Sequence, residues 1–156
     1  MSTLVAYFSR SGHTRQVAQE LARQCTADLA EIREASSHPG AWGYWRSGWQ
    51  VLTHAEPPIL PIGKDPSAYD TVIIGTPIWI GQPAPAVRSF VKQQASRFNR
   101  VAFFCTEGGS GDRRAFKTLS SLCRKTPVAT LTVTEKQLPA PLHASKLEQF
   151  AGHITA

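Results

Sequence analysis

The sequence is poor in the features that announce most functional classes. No apolar run approaches the ~20 residues of a membrane span. The start, Met1-Ser2-Thr3, has no basic segment leading into an apolar signal region. These two absences predict a cytoplasmic protein with no membrane partner. The three cysteines, Cys25, Cys105 and Cys123, are odd in number and far apart, which excludes a zinc or disulfide framework. None has an arginine six positions on, so the Cys-x5-Arg phosphate loop is absent. The five histidines, His13, His38, His54, His143 and His153, lack metal-ligand spacing. There is no GxxxxGK[ST]. "GGSGDRR" fails the GxGxxG pattern because Arg114 stands where the last glycine belongs, and Ser110 fails GxSxG because Asp112 replaces the final glycine. A nucleotide hydrolase, a nicotinamide Rossmann enzyme and a serine hydrolase are all poorly supported.

Charge is the one excess. Seventeen basic against eleven acidic residues leave a net +6, which attracts anions or acidic partners. The cations are scattered over predicted helix surfaces (Arg15, Arg23, Arg88, Lys92, Lys117 and Arg124 among them) rather than gathered in a stripe, so nucleic-acid binding is not expected.

At 156 residues and 42% apolar composition, the chain suits one globular domain spanning 1–156. Its periodicity alternates. Residues 3–8 (TLVAYF), 71–75 (TVIIG), 100–106 (RVAFFCT) and 127–133 (PVATLTV) read as buried strands, with a more polar one at 28–33 (DLAEIR). Helical faces follow: Val17, Ala18, Leu21 and Cys25 from about Thr14; Val87, Phe90, Val91, Ala95 and Phe98 after two prolines; Ala115, Phe116, Leu119, Leu122 and Cys123; and Leu147, Phe150 and Ile154 from Ser145, which forms a capping box with Glu148. Strands alternating with helices imply a parallel, doubly wound α/β sheet of five strands in the order 2-1-3-4-5, with helices on both faces. Trp42, Trp45, Trp49 and Leu52 fall on one side of a helix. That segment is either a crossover packing its indoles on the sheet or a lid or dimer surface near a ligand.

In such a sheet, ligands sit beyond the carboxyl ends of the strands where strand order reverses. Three loops should converge there: "SRSGHTR", "TPIWIGQP" and "TEGGSGDRR". In the first, Ser9, Ser11 and Thr14 offer hydroxyls. Gly12 permits a turn other residues resist, and a helix start follows at once. This is a cradle for a phosphate monoester or, more blandly, a hydroxyl-rich helix cap. Trp79 in the second loop either stacks on a flat ring or packs in the core. Gly108, Gly109 and Gly111 in the third either admit a ligand to the backbone or turn the chain.

"YFSRSGHT", "IIGTPIWIGQPAPAV" and "FFCTEGGSG", in this order and spacing, resemble the flavodoxin family over nearly the full length. The resemblance implies an FMN site. Ser9, Ser11 and Thr14, with the backbone N–H groups of Arg10, Ser11, Gly12, His13 and Thr14, would hold the 5′-phosphate. Pro77, Ile78, Trp79, Ile80 and Gly81 would border the isoalloxazine. Thr106, Glu107, Gly108, Gly109, Ser110 and Gly111 would line its pyrimidine side through backbone donors. The implied function is electron transfer, or a small FMN-dependent reductase of the NAD(P)H or quinone type. Its redox partner or small-molecule acceptor is unknown, and the protein would be a monomer or homodimer. A flavin-free interaction module on the same fold is the alternative. No side chain stands out as acid, base or nucleophile; Glu107 reads as a solvent-facing loop carboxylate or a proton relay. Three departures accompany the resemblance. The chain is basic where electron-carrying flavodoxins are acidic. Ile80 replaces a glycine after Trp79, which makes a turning peptide there less free. The third loop has no tyrosine to cover a flavin face.

Overall fold

A computed structural model describes residues 1–35, 56–139 and 142–156 of the chain. The expected Trp42–Trp49 helix lies outside the described residues. β1 (Thr3–Tyr7), α1 (His13–Gln24) and β2 (Asp28–Glu31) come first. β3 (Thr71–Trp79), β4 (Gln82–Pro83), α2 (Pro85–Gln94), β5 (Arg100–Glu107), α3 (Asp112–Cys123), β6 (Thr130–Thr134) and α4 (Ala144–Thr155) follow among the described residues. The sheet runs β2-β1-β3-β5-β6 with every pair along this path parallel. Counting those five strands in chain order gives 2-1-3-4-5, as the alternation of elements predicts. The addition is β4, a two-residue arm antiparallel to the end of β3.

Period-two alternation divides the core between two faces. Leu4, Ala6, Val72, Ile74 and Phe103 point to α2 and α3, meeting Val87, Phe90, Val91, Leu119 and Cys123. Val5, Tyr7, Ile73, Ala102 and Phe104 point the other way, to Val17, Ala18 and Leu21 of α1 and Leu147, Phe150 and Ile154 of α4. Because helices cover both faces, the central strands carry apolar residues in succession, which is why residues 4–7 of β1 read as an unbroken hydrophobic run.

The start of α4 differs from the sequence expectation. Ser145 lies inside the helix and makes no capping box; His143 occupies the N-cap position. The His143 ring is 1% exposed, with Nε2 2.7 Å from Glu20 Oε2 and Nδ1 2.8 Å from the Gln137 carbonyl. A carbonyl only accepts, so Nδ1 carries a proton. The ring therefore ties the beginning of α4 to α1. The capping box occurs instead eleven residues before Ser145, between Thr134 and Gln137. Both motifs have the same residue classes three apart, and tertiary docking of His143 decides which one the chain uses.

Candidate functional site

The three loops meet at the carboxyl end of the sheet, and each pair is joined by a specific contact. The first and third are joined through hydroxyls: Thr14 Oγ1 lies 2.8 Å from Thr106 Oγ1, and both residues are buried. The first and second meet at Trp79, where Phe8 sits T-shaped at 5.8 Å and the Arg10 guanidinium carbon lies 4.9 Å above the indole centroid. The Phe8 N–H also donates to the Gly75 carbonyl at 3.1 Å, carrying the β1–β3 pairing one residue past the strand. The second and third meet at Gly111. A Cβ there would stand 2.8 Å from Gly81 Cα and 3.0 Å from Ile78 Cγ2, and φ is +117°. Only glycine satisfies both the backbone and the space.

The first loop leaves a helix end open. Gly12, in the left-handed conformation at φ +99°, is the N-cap of α1, and no side chain caps the helix. The first N–H to find a carbonyl is that of Gln16, on Gly12. The N–H groups of His13, Thr14 and Arg15 therefore project from the positive end of the helix dipole, with no acidic residue in the first turn to offset it. Ser9 Oγ turns inward and accepts from the Gly12 N–H at 3.1 Å, which fixes the turn. Ser11 is exposed. Thr14, by contrast, is buried. Its hydroxyl is paired with Thr106, and in such a pair one proton bridges the two oxygens while the other stays available to a third acceptor. Thr106 accordingly meets the first loop through its side chain.

The second loop is a hairpin. β3 continues to Trp79, four residues beyond the expected strand, and Ile80 and Gly81 turn it back into β4. Both turn residues have positive φ, +52° and +69°, as two-residue hairpins of the primed type require. Ile80 thus already occupies the backbone region its β-branched side chain disfavours, and it is 64% exposed. Pro77 and Ile78 are half-buried. Thr76 secures the return: its Oγ1 accepts from the Ala84 N–H at 2.9 Å and donates to the Pro77 carbonyl.

In the third loop Gly108, Gly109 and Ser110 are exposed, and no atom lies within 4 Å of a Cβ placed on either of these two glycines. Glu107 is not the solvent-facing loop carboxylate of one sequence reading. It ends β5 at 7% exposure, and its Oε2 has no hydrogen-bond partner among the described residues. Burial pushes its carboxyl above the ordinary range, the Asp112 charge adds to this, and a backbone N–H of Asp112 opposes it. Asp112 in turn accepts from Thr132 Oγ1 at 2.8 Å. Burial also raises the neighbouring Cys105 thiol to about 12, so it is no nucleophile. Sequence reasoning missed the Thr14–Thr106 pair and the burial of Glu107. The only available signal was strand alternation, which puts Thr106 on the α1 face and Glu107 on the α3 face.

Among the described residues no group of three or more His, Cys, Asp or Glu can hold a metal, and no helix is long and apolar enough to cross a membrane. A cleft of about 410 Å³ along the edge of β6 is lined by Thr130, Thr132, Lys146 and Phe150 and shares no residue with the three loops.

The fold recurs in solved structures. A candidate flavoprotein of Bacteroides uniformis superposes with a TM-score of 0.81 at 24% identity, covering 97% of each chain. Another, of Bacteroides eggerthii, gives 0.78 at 25% identity over 96% of this chain and 98% of that one. A flavoprotein of Lactobacillus acidophilus in complex with FMN gives 0.76 at 20% identity, with the same two coverages. No curated protein matches the sequence significantly. The sequence profile of one family matches residues 2–138, a span that includes all three loops and the strand order they depend on. With the 2-1-3-4-5 sheet and the loop–helix transition after β1, this match establishes that the chain belongs to the flavodoxin family.

Proposed function

We propose that the chain is a single-domain cytoplasmic redox protein that binds FMN at the three loops and works by electron transfer or as a small reductase. The observation that carries this reading is the uncapped amino end of α1 in the same corner as Trp79. A bare helix end favours an anion, and an indole beside it suits a flat ring. The similar Lactobacillus acidophilus structure holds FMN, which supports the choice of ligand. Three free, buried cysteines agree with a reducing compartment.

In this reading the N–H groups of Arg10, Ser11, His13 and Thr14, with the Ser11 hydroxyl and the spare proton of the Thr14–Thr106 pair, hold the phosphate, and Gly12 shapes the turn through its bond to Ser9. Pro77, Ile78, Trp79, Ile80 and Gly81 border the ring. Thr106 through Gly111 line its polar edge, Gly108 and Gly109 allowing close backbone approach. FMN supplies the electron chemistry. The chain's residues bind and orient it, and no side chain serves as acid, base or nucleophile. Phe8 and Arg10 hold the indole from two directions, so the ring it borders would meet a fixed wall.

Titration of flavin-free protein with FMN and with riboflavin, read by fluorescence quenching, tests the proposal. FMN is expected to bind more tightly. Thr14→Val should weaken FMN by about 10- to 100-fold, the 1.5–3 kcal/mol of a hydrogen bond to a charged group, while Thr14→Ser retains affinity and riboflavin responds less. No quenching by either ligand would favour the flavin-free interaction module.

A further inference from the structure

Two local rules of protein structure are broken side by side at the rim of the site. Ile80, a β-branched residue, stands at φ +52° on the hairpin tip with 64% of its surface exposed. Arg113 and Arg114 occupy the first turn of α3, where the helix dipole repels cations. The two anomalies are neighbours: the Arg114 side chain passes within 3.4 Å of the position a Cβ would take on Gly81, the residue after Ile80. On the opposite flank of the same hairpin Arg10 lies over Trp79. Lys117, one turn along α3 from Arg113, extends the positive surface. Residues that violate local preference without stabilising the fold mark a functional surface.

The distribution of carboxylates sharpens the argument. At the amino edge of the sheet the cations are answered: Arg97 by Asp65, Lys64 by Asp28, Lys92 by Glu56. At the carboxyl edge Glu31 pairs with Arg15 and Arg33, Glu135 lies near His13, Asp112 at the start of α3 accepts from Thr132, and Glu107 is buried. Among the described residues no carboxylate lies within ion-pair distance of Arg113, Arg114 or Lys117. The rim therefore combines an exposed apolar knob with an unneutralised positive border.

We propose that this rim docks an acidic electron-carrier protein, with Ile80 at the centre of the contact and Arg113, Arg114 and Lys117 around it. The inference rests on the FMN reading above and adds the partner's chemistry. An apolar centre with a charged rim is the anatomy of a protein interface. Exposed cations spread along α3 steer a large partner of opposite sign. In each encounter one electron leaves the partner's reduced centre and enters the flavin; two encounters with two protons from water complete the reduction.

The test uses a reduced acidic [2Fe–2S] ferredoxin as probe and follows flavin reduction in the FMN-loaded protein by stopped flow. The bimolecular rate should fall as salt rises. Arg113→Glu combined with Arg114→Glu should slow it by about 10-fold or more at low salt. The same double substitution should raise the melting temperature, because glutamates suit the helix start; loss of docking with gained stability separates an interface role from a structural one. A rate that rises with salt, or a double variant as fast as the parent, overturns the proposal. So does slowed reduction by NADPH with unaltered reduction by ferredoxin, which would assign the cations to a dinucleotide. Amide shifts of Gly81, Arg113 and Arg114 on adding oxidised ferredoxin to flavin-free protein report docking without flavin. Failure to bind FMN is thus distinguishable from failure to dock.

Discussion

Glu107 ends a buried strand with a carboxyl oxygen that no group in the described structure satisfies. Burial, then the charge of Asp112, hold its pKa above the unfolded value. A carboxyl raised on folding stabilises the fold only while protonated. Its contribution is whole below the ordinary carboxyl range and is lost as pH rises through the raised value. Glutamine mimics the protonated acid at every pH. Glu107→Gln should therefore match the parent in acid and exceed its stability at neutral and alkaline pH, measured by urea unfolding at several pH values. A constant difference across that range would mean that Glu107 finds a partner the geometry does not reveal. The sequence does not disclose this residue's burial, because "TEGGSG" has the composition of a surface loop; only the length of β5, which runs to Glu107, draws the carboxyl inside.

At the scale of elements, the hairpin of β3 and β4 departs most from the sequence reading. "TVIIG" reads as a complete strand, since Pro77 follows and proline normally limits pairing. In the structure Pro77 still pairs in register with Thr106, and β3 runs on to Trp79. Beside Pro77, Thr76 ties down the returning chain through its side-chain hydroxyl. The cost of the tight turn falls on Ile80. A non-glycine residue in the left-handed region is strained by roughly 1–2 kcal/mol, and little apolar burial offsets this at 64% exposure. Asn-Gly is the dipeptide that such turns favour. Ile80→Asn should thus stabilise the protein by about 1 kcal/mol in chemical denaturation while weakening ferredoxin docking. Destabilisation would show that the isoleucine side chain anchors the hairpin.

On the scale of the whole molecule, the candidate site belongs to no single element. Its three loops leave β1, β3 and β5, and they are cross-linked by one hydroxyl pair, one aromatic cluster and one glycine contact. A ligand that binds all three stabilises the fold by linkage. FMN at 100 times its dissociation constant should add about 2.7 kcal/mol. For a chain of this size that is roughly 5–10 °C in melting temperature. Scanning calorimetry with and without FMN measures it, and riboflavin at the same concentration should give a smaller shift. Equal shifts would remove the phosphate from the binding energy.

The sequence by itself determined the alternation of strands and helices, the 2-1-3-4-5 order and the three loops that carry the family's pattern. Each of these follows from local periodicity, chain connectivity or a short motif, which neighbouring residues specify among themselves. Tertiary structure alone decided that His143 and not Ser145 begins α4. It also decided that Thr14 meets Thr106, that Glu107 is buried, and that Arg114 lies against Gly81. The Thr14–Thr106, Glu20–His143 and Gly81–Arg114 contacts join residues 33 to 123 positions apart in the chain, and no local window contains both partners.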